Sequence, residues 1–524
     1  MSSPIRMTGL VSGLDTESIV SALVSNYSSK VDKYKKAQTK LSWTQDAWKE
    51  VNTEVYSLYT ATSNLRFSSA YNLKTSTVSD KTKVSVTTSN TTAIGTHTLE
   101  IKALAKSGYM TGSKLKSGSG DGKVTSTTKI SDLLQGLSKD SDGNVSYSDS
   151  SVFTDGGKIL VKSTSSDAGT TIDIDKDMTV TGFVAKLNSA GVQANFDETN
   201  QRIFISSTKS GSANAFSIKA VGSDGNEDTS GESFKALSAL GLGSLSTSVG
   251  ASDARIVLDN ETYTGTTNSM TVNGLTINAL GLTSDPVTIT TTTDVQGLYD
   301  KIKDFFTQYN NVINDLDSKY NADSAKGYEP LTDEERTAMG ETAANKYEDK
   351  IKTSLLRRDT TLDGLMTAMT RSLSKSYTVN GKSYSLTDFG IHTLGYLNAA
   401  ENEEYAYHID GDSDDSKVSA KKDKLMQALT DDPDTVMEVM KQAASSLYSE
   451  LDTKMKSTTF SSAYTVYNDK EMASEYSDYT SLIKEWQSKL EDQEDYYYEK
   501  FSKMESSLSQ LNSTQSSLSG YFSS

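Results

Sequence analysis

The sequence predicts a multidomain α+β protein: a terminal helical coiled coil, a discontinuous helical domain and two nested, mainly β domains. Three observations predict it. Near the N-terminus, Val20, Tyr27, Tyr34, Leu41, Trp48 and Val55 recur at a spacing of seven, the period of a supercoiled helix seam. Near the C-terminus a second apolar stripe runs through Leu482, Trp486, Leu490, Tyr497, Phe501, Met504, Leu508, Leu511, Leu518 and Phe522. Between them lies a long Ser/Thr-rich stretch whose apolar residues alternate, as half-buried strands require.

The first element opens in "GLVSGLDTESIV", Gly9 to Val20. Its glycines invite comparison with a phosphate-binding loop. That loop needs a lysine before its Ser/Thr and a strand feeding it. Asp15 stands before Thr16 instead, and a carboxylate repels phosphate. The stretch reads as a flexible segment ending in a helix N-cap, with Asp15 or Thr16 taking the first free amide hydrogens. The helix is expected from about Asp15 to about Arg66, with room for one break. Its companion seam is half polar: Val24 and Val31 are followed by Gln38, Gln45 and Asn52, then Tyr59. So thin a seam does not hold a long helix alone. The C-terminal stripe, where eleven-residue and heptad spacings mix, marks a locally unwound coiled coil and is the expected partner.

From about Thr75 to Thr293 the pattern is strand and turn. Val84 with Val86, Leu99 with Ile101, Ile159 with Val161, Ile172 with Ile174, Ile203 with Ile205 and Ile256 with Leu258 alternate. Asn273-Gly274 between two alternating runs predicts a tight hairpin, and Asn380-Gly381 a second. "MTVTGFVAKLNSAGVQANFDETNQRIFISS" reads as a short helix followed by two strands. Ser113 to Ser151 offers few apolar anchors and is expected to form mobile loops with small elements. Helix returns at Asp294, where Leu298, Ile302, Phe305, Tyr309, Val312 and Leu316 step by four and three. A further helix is expected from about Asp333 to Leu356. Asp432-Pro433 starts another, with Asp as N-cap and Pro in the first turn. Pairing of the two ends makes everything between them an insertion. The expected domains are therefore 1–42 with 478–524 (coiled-coil assembly region), 43–75 with 294–477 (helical), 76–112 with 251–293 (inner β) and 113–250 (outer β).

Composition narrows the function. The chain has 524 residues, is 35% hydrophobic and carries a net charge of −17. Its cores are therefore modest, and neither nucleic acid nor an anionic membrane suits it as a main partner. No apolar run approaches the ~18 residues that span a bilayer. Cysteine is absent, which removes disulfides, thiolate metal sites and thiol catalysis. The acidic, Ser/Thr/Gly-rich profile is that of an extracellular bacterial surface protein, yet no secretory signal core opens the chain. A specialised export route follows as an expectation. Only four prolines occur, which suits export in an unfolded state because few slow isomerisations remain.

Catalytic and metal readings are weak. The three histidines, His97, His392 and His408, are widely separated in sequence, and His97 has no obvious carboxylate partner nearby in the sequence. "DGDSDD" from Asp410 and "DSDGN" from Asp140 alternate oxygen side chains, but an EF-hand needs Gly at its sixth position and Glu at its twelfth. Those positions hold Asp415 and Lys421, or Val145 and Ser151. Both stretches are read as solvated acidic turns, with no metal and no cofactor expected. "YYYEKF" from Tyr496 belongs to the helical seam, some of its rings packed and the rest at the rim.

Several segments together resemble the bacterial flagellar filament cap family, also known as hook-associated protein 2. They are "TGLVSGLDTESIVSAL", "HTLEIKALAKSGYMTG", "DARIVLDNETYTGTTNSMTVNGLTINALGL", "LYDKIKDFFTQYNNVINDL", "KLMQALTDDPDTVMEVM" and "YYYEKFSKMESSLSQLNSTQSSLSGYF". They occur in the family's order and cover both ends and the middle. The outer stretch from about Ser113 to Gly250 matches least, and its latter half is similar to repeats inserted in flagellins. The resemblance implies a non-enzymatic, secreted protein at the distal tip of the flagellar filament, exported through the flagellar type III apparatus. It further implies a ring-shaped homo-oligomer, commonly a pentamer, that guides flagellin into place. Hook–filament junction proteins and an export chaperone are the other implied partners. Gly9, Leu10, Gly13, Leu14 and Asp15 would form the N-terminal assembly motif, ordered on docking at the filament end. A cell-surface adhesin with a coiled-coil stalk is the alternative, and adhesion through the β region a secondary role.

Overall fold

A computed structural model describes residues 11–150 and 156–522. Its helices are α1 (Thr16–Leu65), α2 (Val180–Ser189), α3 (Glu232–Ala239), α4 (Val295–Asn321), α5 (Asp333–Met339), α6 (Glu341–Thr353), α7 (Thr360–Leu373), α8 (Lys424–Asp431), α9 (Pro433–Lys454) and α10 (Asp469–Phe522). The chain divides into a helical unit, up to Asn72 and from Val295 onward, and a β unit, Leu73–Asp294. The fold is the mixed, multidomain α+β architecture that the patterning predicts.

In the helical unit, α1 is one unbroken helix. It lies antiparallel to α10: Tyr27 meets Trp486 and Tyr34 meets Tyr479, and Trp48 meets Tyr467 just before α10 begins. Helix α4 buries the stripe Leu298, Ile302, Phe305, Tyr309, Val312 and Leu316 that its spacing defines. Helices α7 and α9 bury Leu365, Met369, Val439 and Leu447. Asp432 caps α9 by accepting from the Thr435 amide, and Pro433 occupies the first turn. The hairpin at Asn380-Gly381 pairs Val379 with Lys382 and has φ of 51° and 78° at its corner residues, as a tight primed turn requires. The helix expected from Asp333 to Leu356 is instead two helices. Gly340 sits between them at φ 83°, a left-handed conformation that a helix interior does not allow.

The β unit contains two apolar clusters. In the first, strands 74–78, 287–293, 95–103, 254–258 and 261–265 form one antiparallel sheet in that order. Strands 269–272, 275–279 and 84–88 form a second. Val84, Leu99, Ile101, Ile256, Ile277 and Ile289 are buried together. The Asn273-Gly274 turn joins Val272 to Leu275, with φ of 48° and 82°. In the second cluster, strands 247–249, 107–111, 202–210 and 192–197 form one sheet, and 217–221, 157–162 and 170–174 another. Helices α2 and α3 pack with them around Phe183, Ile159, Ile174 and Ile203.

The stretch expected to be loosely anchored loops contributes to that second core. Leu115, Val124, Ile130 and Leu133 are all buried in it. They are few and irregularly spaced in polar sequence, so no periodicity announces them. Gln201, at φ 57° and 5% exposed, clamps Val124 from both sides: it accepts the Val124 amide hydrogen at 2.5 Å and donates to the Val124 carbonyl at 2.6 Å.

Candidate functional site

The site is the pair of terminal helices. Gly13 opens it at φ +71°, and a Cβ there would meet nothing within 4 Å. The glycine is needed for the backbone angle rather than for space. Asp15 is the N-cap, accepting from the Ser18 amide at 3.1 Å and its hydroxyl at 2.6 Å. The Ser18 hydrogen bonds hold its carboxyl below the usual carboxylate range. Leu14 is exposed. Gly9 and Leu10 lie outside the described residues.

Along α1, Val20, Val24, Val31, Trp48, Val51, Val55 and Leu58 are buried, and Tyr27, Tyr34 and Leu41 are half-buried. A buried side chain of this size contributes roughly 1.5–3 kcal/mol by leaving water. On α10, Leu482, Trp486, Leu490, Phe501, Met504 and Leu508 are half-buried, and Ile483 is buried. Leu511 and Leu518 are 64% and 53% exposed. Residues Val11 and Ser12 stand opposite Glu505, so Leu511 and Leu518 lie past the first described residue of the partner strand of chain. The Glu505 carboxylate accepts the Val11 amide at 2.9 Å, the Ser12 amide at 3.2 Å and the Ser12 hydroxyl. Those bonds, the Ser12 hydroxyl first, hold its pKa below the ordinary value.

The polar companion positions are pairing residues. Gln38 Nε2 donates to Thr480 Oγ1 at 2.7 Å and to the Tyr476 carbonyl at 3.3 Å. Asn52 accepts the Val466 amide hydrogen at 2.9 Å and donates to the Tyr464 carbonyl at 3.2 Å. A polar seam residue of this kind fixes register at some cost in stability. Their side-chain amides, spaced at the heptad interval, are the signal in the sequence. Trp48 stacks on Tyr467 at 5.6 Å and 10° between planes. Lys30 places its ammonium 4.0 Å from the Trp486 ring centroid. Ile483 and Glu505 also belong to the pairing, and Val51 and Leu58 are buried on α1; the heptad spacing alone marked none of them.

His97, with no obvious carboxylate partner nearby in sequence, meets Asp259 at 2.6 Å through strand pairing. One chemical expectation needs correction. The 410–415 stretch is not a solvated turn. Asp410 and Asp412 are 6% and 9% exposed. His392 and Lys421 contact Asp410 at 2.9 and 3.0 Å, Lys303 contacts Asp412 and Asp414 at 2.6 Å each, and His408 contacts Asp415. Burial pushes Asp410 up, but His392 and Lys421 more than offset it and hold it below the usual range. Protein side chains thus occupy these carboxylates. Asp140 accepts from the Asp142 and Asn144 amides, which makes its stretch a turn closed by its own side chain. Among the described residues, no group of three or more His, Asp or Glu is arranged to hold a metal ion, and no helix is long and apolar enough to cross a membrane.

Two family models match this chain. The one described as the flagellar hook-associated protein 2 C-terminus matches residues 251–513, and the one described as its N-terminus matches 12–108. The chain belongs to the flagellar hook-associated protein 2 family. The N-terminal match contains α1 and the C-terminal match most of α10, whereas the second apolar cluster, Leu115 to Leu242, lies between them. A flagellar hook-associated protein 2 from Halalkalibacterium halodurans is 24% identical over 562 residues, covering 99% of this chain and 100% of that protein. Another, from Thermotoga maritima, is 25% identical over 329 residues, covering 61% of this chain and 46% of that protein. A solved structure of the D1-D2-D3 domains of the flagellar cap protein FliD from Escherichia coli is similar at 19% identity and a TM-score of 0.45, covering 78% of this chain and 97% of that one.

Proposed function

We propose that this chain is the structural cap of the bacterial flagellar filament, secreted to its distal tip. There it promotes flagellin polymerisation, prevents loss of exported flagellin, and so supports filament elongation and motility. It works without catalysis and without a cofactor, as a ring-shaped homo-oligomer, a pentamer in this reading. Its partners are flagellin, the hook–filament junction proteins and an export chaperone. The domains in this reading are the terminal assembly region 1–42 with 478–524, the helical region 43–75 with 294–477, the inner β domain 76–112 with 251–293 and the outer β domain 113–250.

Family membership is the single observation that carries this reading. The paired ends add physical support. Their half-polar seam is held by Gln38, Asn52 and Glu505, which favours one register over maximal stability. The apolar residues beyond Glu505, Leu511 and Leu518, are exposed and available to neighbouring subunits or to the filament end.

Deleting the gene tests the proposal. Flagellin is then expected as monomer in the culture medium, with short or absent filaments and poor swimming, all restored by a plasmid copy. Full-length filaments and no released flagellin in the deletion strain would contradict it.

A further inference from the structure

In the helical unit, a loop of residues 394–406 joins the short strands Ile391–Thr393 and Tyr407–Ile409. Its outer limb carries Tyr396 and Leu397, 82% and 91% exposed. Its returning limb runs through Glu404 and Tyr405 to Tyr407, whose backbone Asn310 of α4 grips at both the amide, 2.8 Å, and the carbonyl, 2.7 Å. Two turns of α4 further on stands Asp317, 3% exposed. Asn321 donates to its Oδ1 at 2.9 Å. Asp317 Oδ2 and Glu404 Oε2 are buried and find no donor, and both side chains line one cavity.

Two ionised carboxylates do not share such a place; one proton between them turns repulsion into a hydrogen bond. We propose that a proton shared by Asp317 and Glu404 latches the returning limb of the 394–406 loop to α4, and that loss of this proton at alkaline pH releases the loop and its exposed Tyr396–Leu397 tip.

The surroundings decide whether the pair could ionise without cost. Arg358, which precedes α7, is the cation facing it and favours the charged form. Its guanidinium is 4.7 Å from the Tyr320 ring centroid. Asp363 of α7 and the phenols Tyr320, Tyr396 and Tyr405 line the same cavity of about 360 Å³. On the neighbouring turn of α4, Lys319 is bound to Asp315 at 2.7 Å, and Glu54 of α1 stands beside Asp315 with Glu50 near it. Negative groups therefore outnumber free positive ones. Burial first, and then Glu404, push Asp317 up to about 7, against the lowering effect of Asn321 and Arg358. A carboxyl raised in this way stabilises the closed loop fully below its unfolded pKa near 4, and that stabilisation is lost as pH rises through about 7.

Hydrogen exchange of the full-length protein tests the latch, with protection corrected for the intrinsic pH dependence of exchange. In the wild type, protection of the amides of 403–407 should fall about tenfold per pH unit between about pH 4 and about pH 7, where one proton is released on opening, and level off above that. In Asp317→Asn the side-chain amide donates permanently to Glu404, so protection should not change with pH. Glu404→Gln should behave the same way from the other side. Infrared spectra provide the second reading: a protonated-carboxyl C=O band should be present at about pH 6, lost by about pH 9, and missing from both variants. The proposal is overturned if wild type and Asp317→Asn lose protection alike, if wild-type protection is constant, or if the band persists in both variants. Restoration of wild-type protection at alkaline pH by added calcium would also overturn it, since the pair would then bind a cation rather than share a proton.

Discussion

Trp48→Ala lowers the stability of the helical unit by about 3–5 kcal/mol and leaves the β unit unchanged. Trp48 is 3% exposed and stacked on Tyr467, itself 8% exposed. Its removal takes a large apolar side chain and one aromatic stacking contact from the point where α1 meets the residues that lead into α10. Urea denaturation separates the effects, because the protein carries a convenient reporter. All three tryptophans, Trp43, Trp48 and Trp486, belong to the helical unit, so tryptophan fluorescence follows that unit alone. The fluorescence midpoint should drop sharply in the variant. The β unit, followed by circular dichroism in the strand region, should unfold at its wild-type midpoint. A fluorescence midpoint within experimental scatter of wild type would mean that the Trp48–Tyr467 contact does not hold the pair together. A joint fall of both transitions would mean that the two units do not unfold independently.

The second large effect is on assembly and not on stability. Leu508→Ser combined with Leu511→Ser should abolish filament capping while changing the unfolding free energy little. Leu508 is only half-buried and Leu511 is 64% exposed. Substitutions at such positions usually stay within about 0.5 kcal/mol each. If this stripe of α10 docks on another molecule, the loss appears there instead, as interface anchors lost from a buried centre. The double variant should be exported and folded, yet flagellin should accumulate in the medium and filaments should be short. Normal filaments from a verified double variant would remove Leu508 and Leu511 from the assembly surface. A large fall in stability would place them in the fold of the single chain.

Much of this architecture was legible because its signals are local. The heptad from Val20 to Val55 marks α1, Asp15 and Asp432 mark helix starts, and the Asn-Gly pairs at 273 and 380 mark tight turns. In each case the residues that encode the element lie within the element. What could not be read depends on distant parts of the chain. Leu115, Val124, Ile130 and Leu133 look like stray apolar residues until strands from far along the sequence surround them. The His97–Asp259 contact spans a strand crossover, and the carboxylates of 410–415 look solvated until Lys303, His392 and Lys421 reach them from other elements. The break at Gly340 is an intermediate case. A lone glycine inside a helical pattern costs only about 1 kcal/mol, so the pattern alone does not demand a break; the structure uses Gly340 as the C-cap of α5 at φ 83°. At the candidate site, the apolar half of the seam followed from spacing. The amide contacts of Gln38 and Asn52 did not, because a polar residue in a seam position weakens the pattern by which the seam is found.

The central claim is that this protein sits at the filament tip, and its position on the cell is the most direct measurement of it. Gold-conjugated antibody raised against the purified chain, imaged on intact cells by electron microscopy, reads that position. The account predicts label at the distal ends of flagellar filaments and loss of that label in the deletion strain. Label spread over the cell surface with bare filament tips would contradict it, and would favour a stalked adhesin.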